Sequence, residues 1–250
     1  MTPGLLNVKL AALESSVSEK LQGFDEFSSR YENHIQESIN FSGKEQSFFT
    51  QLKADEIVRL ARENFTNPSE INVLDVGCGT GLTDNFLSKN FSNLSGVDSS
   101  QKMLDLASKL NPGVNYKHYD AEKLPYPDGA FDITFAICVM HHVKPEHWTD
   151  FLAEMKRVTR PNGIVAIFEH NPWNPLTRRV VNNCEWDDDA VLLSQPTTRI
   201  LFNKTGMTHP RSRFIVFFPF ASSIFRHIER VLRWLPLGGQ YYTFCRVSNG

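Results

Sequence analysis

The sequence predicts an α/β protein in which helices cover both faces of a mostly parallel sheet. The first observation is a regular alternation of apolar, strand-like runs with amphipathic helical segments between residues 71 and 169. Such an alternation is typical of β–α–β units, whose strands run parallel. The second is a glycine-rich turn, Gly77–Gly81, placed directly between a buried strand and a helix. At 250 residues the chain has room for one large domain, or for a core with a small lid.

The predicted elements follow one another in order along the chain. The first 70 residues have a polar, helical pattern without a strand signal. Seven later segments have the apolar character of strands: 71–76, 93–97, 114–119, 131–138, 163–169, 213–220 and 241–247. Helical spacing of apolar residues predicts helices over 82–90, 100–110, 146–158 and 222–235.

Composition argues against several classes of function. A formal net charge of −2 gives no general attraction to nucleic acid, so nucleic acid is not an expected partner. The four cysteines are scattered and form no C-x-x-C pair, which indicates a reducing, cytoplasmic location. No segment approaches the ~20 apolar residues that span a bilayer, and Lys9 interrupts the apolar N-terminus that a signal peptide would need.

The glycine turn indicates a nucleotide-like ligand. Gly77, Gly79 and Gly81 alternate with other residues, so the backbone can turn tightly and a ligand can approach it closely. A strand, a glycine loop and a helix together direct exposed N–H groups at such a ligand. The spacing is G-x-G-x-G, with Leu82 where a dinucleotide fingerprint has its third glycine, and the Lys-Ser/Thr of a P-loop is missing.

Four motifs in order resemble class I S-adenosylmethionine-dependent methyltransferases of the ubiquinone/menaquinone-methylase-like type. They are VLDVGCGTG from Val73, GVDSSQKML from Gly96, YDAEKLPYPDGAFDITFAICVMHHV from Tyr119 and NGIVAIFEH from Asn162. The resemblance implies a Rossmann-like, seven-stranded sheet with an antiparallel C-terminal hairpin. It also implies S-adenosylmethionine as the cofactor and methyl transfer to a small-molecule acceptor.

The resemblance places the cofactor at the strand ends. Asp75 is expected to orient the glycine loop or to receive the cofactor's ammonium group. Asp98 follows Gly81 by 17 residues and suits the ribose hydroxyls, although it could equally cap the next helix. Asp120 and the N–H that follows it would hold the adenine. The predicted cofactor-binding residues are Asp75, Gly77, Gly79, Gly81, Asp98, Met103, Asp120, Ala121 and Cys138.

Three residues at the ends of the fourth and fifth strands are predicted to be catalytic, namely His142, Glu169 and His170. Methyl transfer mainly requires that the acceptor atom be held at ~3–3.5 Å, and a hydroxyl acceptor also profits from a base with a pKa near neutrality. Histidine meets that requirement, and open α/β sheets bind ligands at these strand ends. Each histidine could instead have a capping or packing role. The spacing of histidines and cysteines fits no familiar zinc site, so no metal is expected.

The acceptor pocket is expected to draw on the rest of the chain. Residues 1–69 are predicted to form a helical lid, and residues 70–250 the cofactor-binding domain, with inserted pocket segments at 170–200 and 221–238. Aspartates 187–189 are interpreted as a solvated face. The expected pocket residues are Tyr31, Phe41, His141, Asn171 and Trp173.

A weaker resemblance concerns the acceptor. EHNPWNPLTRRVVNNC, DAVLL and RWLPLGGQYY are similar to bacterial methyltransferases of sugar and polysaccharide pathways, which implies an acceptor oxygen on a sugar, lipid-linked or other metabolite. Two alternatives stay open, a nicotinamide-dependent oxidoreductase and a non-catalytic protein that binds S-adenosylmethionine. The helix at 222–235 is expected to pack on the sheet and to expose Arg226, Arg230 and Arg233, with weak peripheral membrane contact as the second hypothesis.

Overall fold

A computed structural model describes residues 46–184, 187, 190–218 and 223–248. Tyr31, Phe41 and most of the predicted lid lie outside the described residues. The helices are α1 (Gln46–Asn64), α2 (Leu82–Leu87), α3 (Gln101–Leu110), α4 (Trp148–Val158), α5 (Pro175–Asn182), α6 (Gln195–Lys204) and α7 (Ser223–Leu232). The strands are β1 (Asn72–Val76), β2 (Asn93–Asp98), β3 (Asn115–His118), β4 (Phe131–Ile137), β5 (Thr159–His170), β6 (Arg211–Ile215) and β7 (Gln240–Arg246).

The strands form one seven-stranded sheet in the order β3-β2-β1-β4-β5-β7-β6. The first five strands are parallel, and β7 runs antiparallel to both β5 and β6. The predicted fold class, with its antiparallel C-terminal hairpin, is therefore confirmed. Because β7 starts opposite the end of β5, with Gln240 paired to His170, its first residues lie at the same edge as the carboxyl ends of the parallel strands.

Each face of the sheet carries its own core. Alternate residues of β5 point to opposite faces, so Ile164 and Phe168 belong to one core and Val165 to the other. α1 packs on the first face, where Ile57 and Leu60 are fully buried. α4 and α6 cover the second face. No helix in the described part of the chain is long and apolar enough to cross a membrane.

The C-terminal part departs from the sequence prediction in two places. The sixth strand ends at Ile215 because Val216 turns to φ +62° and the N–H groups of Phe217 and Phe218 bond to Glu229 instead of a strand. The expectation that Arg233 lies on the exposed side of the last helix is wrong, since its guanidinium bonds to Glu56 of α1 at 2.6 Å.

Candidate active site

The glycine turn leaves an open space beside Gly79. All three glycines have positive φ, of +77°, +53° and +73° in chain order. A Cβ on Gly77 would lie 2.5 Å from Val139, and one on Gly81 would lie 2.7 Å from the Tyr116 hydroxyl, so packing alone requires these two glycines. A Cβ on Gly79 would meet nothing within 4 Å. The open side of the turn is therefore at Gly79, where a ligand can reach the backbone.

Asp98 ties this turn to the next helix. Its Oδ2 accepts a hydrogen bond from the Gly79 N–H at 2.9 Å, and its Oδ1 accepts one from the Ser100 N–H at 2.8 Å. The helix cap itself is Ser100, whose hydroxyl accepts from the Met103 N–H. Each carboxylate oxygen can accept a further bond, so the geometry is compatible with the predicted ribose contact.

A buried pair of carboxyl groups lies behind the turn. Asp75 and Asp84 are both buried and hydrogen-bond to each other, and Asp84 Oδ2 accepts a bond from the Tyr116 hydroxyl at 2.8 Å. Asp75 Oδ1 has no hydrogen-bond partner among the described residues. Burial and the neighbouring charge raise the pKa of Asp75 well above its usual range, and burial raises the pKa of Asp84 to about 7. The pair therefore retains a proton at neutral pH, and Asp75 keeps an oxygen available for a donor.

Asp120 and Ala121 lie at the end of β3, next to the end of β2. The Tyr119 N–H bonds to the Asp98 carbonyl at 3.3 Å, which places Asp120 near Asp98. Asp120 is exposed, and hydrogen bonds from the N–H groups of Glu122 and Lys123 lower its pKa. Ala121 has φ +64°, so the backbone turns outward here. Asp120 is thus a charged acceptor at the strand ends, as an adenine contact requires.

A cluster of histidines and carboxylates occupies the ends of β4 and β5. His141 Nδ1 lies 2.6 Å from Glu169 Oε2, and both side chains are almost fully buried. The Nε2 atoms of His141 and His142 each lie 3.5 Å from Asp187 Oδ1. The ring centroids of His141 and His170 are 5.3 Å apart, so all three predicted histidines come together.

Electrostatics separates the roles of these residues. Burial alone would lower the pKa of His141, but Glu169 and Asp187 outweigh it and raise the pKa to about 11. Burial alone would raise the pKa values of Glu169 and Asp187, yet the imidazolium of His141 lowers both. His141 is therefore a permanent cation between two carboxylates. This differs from the expectation that it lines the acceptor pocket, because only 1% of its side chain is exposed, whereas 38% of His142 is exposed.

Cys138 lies at the end of β4, next to the histidine cluster. Its backbone has φ +56°, and the amide of Gln240 lies 3.7 Å from Sγ and 3.4 Å from His170 Nδ1. Burial would raise the pKa of the Cys138 thiol, but its interactions with His170 and Lys53 lower it. Lys53 of α1 therefore acts electrostatically at the same strand ends, although it was not among the predicted site residues.

In the loop after β5, Asn171 does not have the role in the acceptor pocket that the sequence predicts. Asn171 is 1% exposed, and its Nδ2 donates to the carbonyls of Pro236 and Gly238 at 3.1 and 2.8 Å. Its side chain therefore holds the two inserted segments together and does not line a pocket. Trp173 is 53% exposed, so it stands at the outer edge of the site.

The histidine cluster also has one feature of a metal site. His141, His142 and Asp187 each offer one ligand atom, and these atoms lie within 4.8 Å of one another. The buried His141 imidazolium already pairs with Glu169 Oε2 and with Asp187, and a cation there would have to displace its proton. His141, His142, Glu169 and Asp187 therefore form an ion-pair network. That the site binds no metal stays a prediction.

Sequence reasoning missed several residues of this site. Asp187 belongs to a run of three aspartates that predicts a solvated face, and nothing in the run indicates that Asp187 contacts the histidines. Asp84 had a detectable signal, since it lies three residues after Gly81 and so on the face of α2 that meets the turn. The remaining missed residues are Lys53, Tyr116 and Gln240.

Comparison with known proteins finds methyltransferases that are similar to this chain. Residues 74–167 match the family model described as a methyltransferase domain. A 2-methyl-6-phytyl-1,4-hydroquinone methyltransferase from Synechocystis sp. is 30% identical over 145 residues, which are 56% of this chain and 44% of that protein. A phthiotriol/phenolphthiotriol dimycocerosates methyltransferase from Mycobacterium ulcerans is 30% identical over 121 residues, 47% of this chain and 41% of that protein. The chain spans about half the length of the curated relatives it matches.

Solved structures show the same fold at lower sequence identity. A SAM-dependent methyltransferase from Archaeoglobus fulgidus aligns with a TM-score of 0.59 and 16% identity, over 79% of this chain and 94% of that chain. An S-adenosylmethionine-dependent methyltransferase from Mesorhizobium loti aligns with a TM-score of 0.53 and 20% identity, over 77% of this chain and 99% of that chain. Residues 74–167 therefore resemble a methyltransferase domain, and the chain has the fold of S-adenosylmethionine-dependent methyltransferases.

Proposed function

We propose that this protein transfers a methyl group from S-adenosylmethionine to an oxygen of a small-molecule acceptor. One observation carries the proposal. The open position Gly79 follows β1 and is bonded to Asp98 at the end of β2, while β4, on the other side of β1, leads to His142. A cofactor held at the turn would thus present its reactive end toward the histidine cluster.

The chain offers a matching group for each part of the cofactor. Asp98 would accept hydrogen bonds from the ribose hydroxyls, and Asp120 with the Ala121 N–H would hold the adenine. The free Oδ1 of Asp75 suits the ammonium group, because a buried oxygen without a partner is costly unless a ligand supplies a donor. When bound, the cofactor supplies an electrophilic methyl group.

His142 is the base that this geometry favours. It is more exposed than His141, His170, Glu169 and Asp187, and its Nε2 faces the Asp187 carboxylate. Asp187 would orient the ring and stabilise the imidazolium that forms when His142 takes the acceptor's proton. His141 and Glu169 hold Asp187 in place, and His170 borders the cofactor side beside Cys138. His170 stays a second candidate for the base.

The acceptor is proposed to be a sugar, a lipid-linked compound or another metabolite. Two matched relatives are named for acceptors with long apolar chains, phytyl hydroquinone and phthiotriol dimycocerosates. The inserted segments 170–200 and 221–238 would shape its pocket, and residues 1–69 would close it, with Tyr31 and Phe41 as contacts. A cytoplasmic location is proposed on the cysteines, which are all unbridged.

Two measurements on the full chain test the function. Calorimetry should show binding of S-adenosylmethionine and no binding of NADH. Dinucleotide-binding turns have a third glycine at the position that Leu82 occupies here. Incubation with a cell extract, with and without EDTA, should release S-adenosylhomocysteine above the extract alone. NADH binding without S-adenosylmethionine binding would support an oxidoreductase, and cofactor binding without turnover would support a non-catalytic protein.

A further inference from the structure

Two loops at the catalytic end of the sheet are fastened into one unit. One follows β5 and the other precedes β7. In addition to the Asn171 bonds, Asn174 Nδ2 donates to the Leu237 carbonyl at 2.8 Å, and Thr177 Oγ1 donates to the Gly239 carbonyl at 2.7 Å. These bonds fix the relative position of the two loops beside the entrance to the histidine cluster.

This unit exposes an unusual amount of apolar surface. At the end of α7 and in the loop that follows it, exposed side chains recur every third residue, at Val231, Trp234 and Leu237, with 64%, 74% and 63% of their surface exposed. The first loop contributes Trp173, and the first turn of α5 contributes Leu176; both are more than half exposed. We call these five residues the apolar rim. Two exposed tryptophans and three aliphatic side chains on two joined segments are more than the scattered apolar residues of an ordinary surface.

Basic side chains accompany the apolar rim. Arg178 and Arg179 of α5 and Arg230 of α7 are exposed within one turn of rim residues. The acidic residue beside Arg230, Glu229, is turned inward and accepts hydrogen bonds from the N–H groups of Phe217 and Phe218. Arg230 also borders the α1 carboxylates Asp55 and Glu56, so Arg178 and Arg179 are the main cationic groups beside the rim.

We propose that the apolar rim docks on the surface of an anionic lipid bilayer. Tryptophan and leucine enter the boundary between headgroups and acyl chains, and neighbouring arginines bind the negative headgroups. A second copy of the chain fits less well, because a two-fold contact through this patch would bring its arginines face to face. Docking here would turn the entrance of the histidine cluster toward the lipid.

The test is co-sedimentation of the full chain with vesicles of phosphatidylcholine, with and without phosphatidylglycerol. At low salt the chain should sediment with the phosphatidylglycerol vesicles, and its tryptophan emission should shift to shorter wavelength. Trp234→Ser combined with Leu237→Ser should reduce the bound fraction about tenfold or more, since the apolar contact is lost. Arg178→Gln combined with Arg179→Gln should abolish the preference for anionic vesicles and its sensitivity to salt.

Leu110→Ser is the matched control. Leu110 is 43% exposed at the end of α3, which leads into β3, and β3 is at the opposite edge of the sheet from β7 and β6. This variant should bind vesicles like the natural chain. Equal sedimentation with and without vesicles would overturn the proposal, as would a dimer that the Trp234→Ser, Leu237→Ser variant dissociates. Binding is measured without cofactor or acceptor, so this result and that of the methyl-transfer assay are independent. The thermal midpoint of each variant checks that it is folded.

Discussion

His141 and Glu169 form a buried ion pair whose closest atoms are 2.6 Å apart. The pair supports the carboxylate of Asp187, and through it the partly exposed His142. A cation and an anion removed from water in this way are stable only together, because either alone would be left as an unpaired buried charge. The first prediction follows from that dependence.

Glu169→Gln should lower the free energy of unfolding at pH 7 by about 3–5 kcal/mol. The pKa of Glu169 is lowered in the folded protein, so its contribution is present above the unfolded value near 4 and is lost as the pH falls. The difference between variant and natural chain should therefore shrink in acid. Urea unfolding at pH 7 and at pH 3 measures it. Glu122→Gln, at an exposed position, should change little, and an equal loss there would refute the special role of Glu169.

The second prediction concerns the base. His142→Ala should lower kcat by ~100-fold or more while leaving the affinity for S-adenosylmethionine nearly intact. Asp187→Asn should lower kcat less and shift the pH profile, because the protonated ring loses its partner. His147→Ala is the control, since His147 lies outside the cluster and is well exposed. An unchanged kcat in the His142 variant would shift the assignment to His170.

The third prediction concerns the cofactor. Asp98→Ala should weaken binding of S-adenosylmethionine by ~1.5–3 kcal/mol for each charge-assisted hydrogen bond lost. Part of this loss of affinity is indirect, because the Asp98 carboxylate also accepts a hydrogen bond from the Gly79 N–H and so fixes the glycine turn. Calorimetry measures the affinity, with Asp105→Ala as control, because the Asp105 carboxylate bonds to Gln101 within α3. An affinity equal to that of the natural chain would exclude Asp98 from the cofactor site.

The fourth prediction uses the buried carboxyl pair. Because the pKa of Asp84 is raised to about 7, the folded chain keeps a proton that the unfolded chain releases above pH ~4. The free energy of unfolding should therefore fall as the pH rises from about 4 to about 7. Asp84→Asn cannot ionise, so it should reduce this slope and gain stability relative to the natural chain toward pH 8. Denaturation of the cofactor-free protein over this pH range tests the sign, with Asp105→Asn as the control variant. If Asp84→Asn and Asp105→Asn showed the same slope of unfolding free energy against pH, the prediction would be contradicted.

Sequence reasoning located the backbone of the site well. Strand periodicity and the glycine turn depend on local chemistry, so β1, β2 and the turn at Gly77–Gly81 could be placed from their own residues. Asp187, Arg233 and Asn171 could not, because each is defined by a partner far away in the chain. Arg233 has the helical spacing of an exposed residue, and only Glu56 on α1 turns it inward. Charged side chains that pair over long range are therefore the part that sequence alone does not specify.

The most direct test of the account is transfer of an isotopically labelled methyl group. The full chain is incubated with labelled S-adenosylmethionine and an extract of small metabolites, and the products are analysed by mass spectrometry. The account predicts a labelled metabolite that carries the new methyl group on oxygen, formed by the natural chain and the His147→Ala control and strongly reduced with Asp98→Ala and His142→Ala. Label that enters no metabolite, or equal labelling by all four proteins, would contradict it.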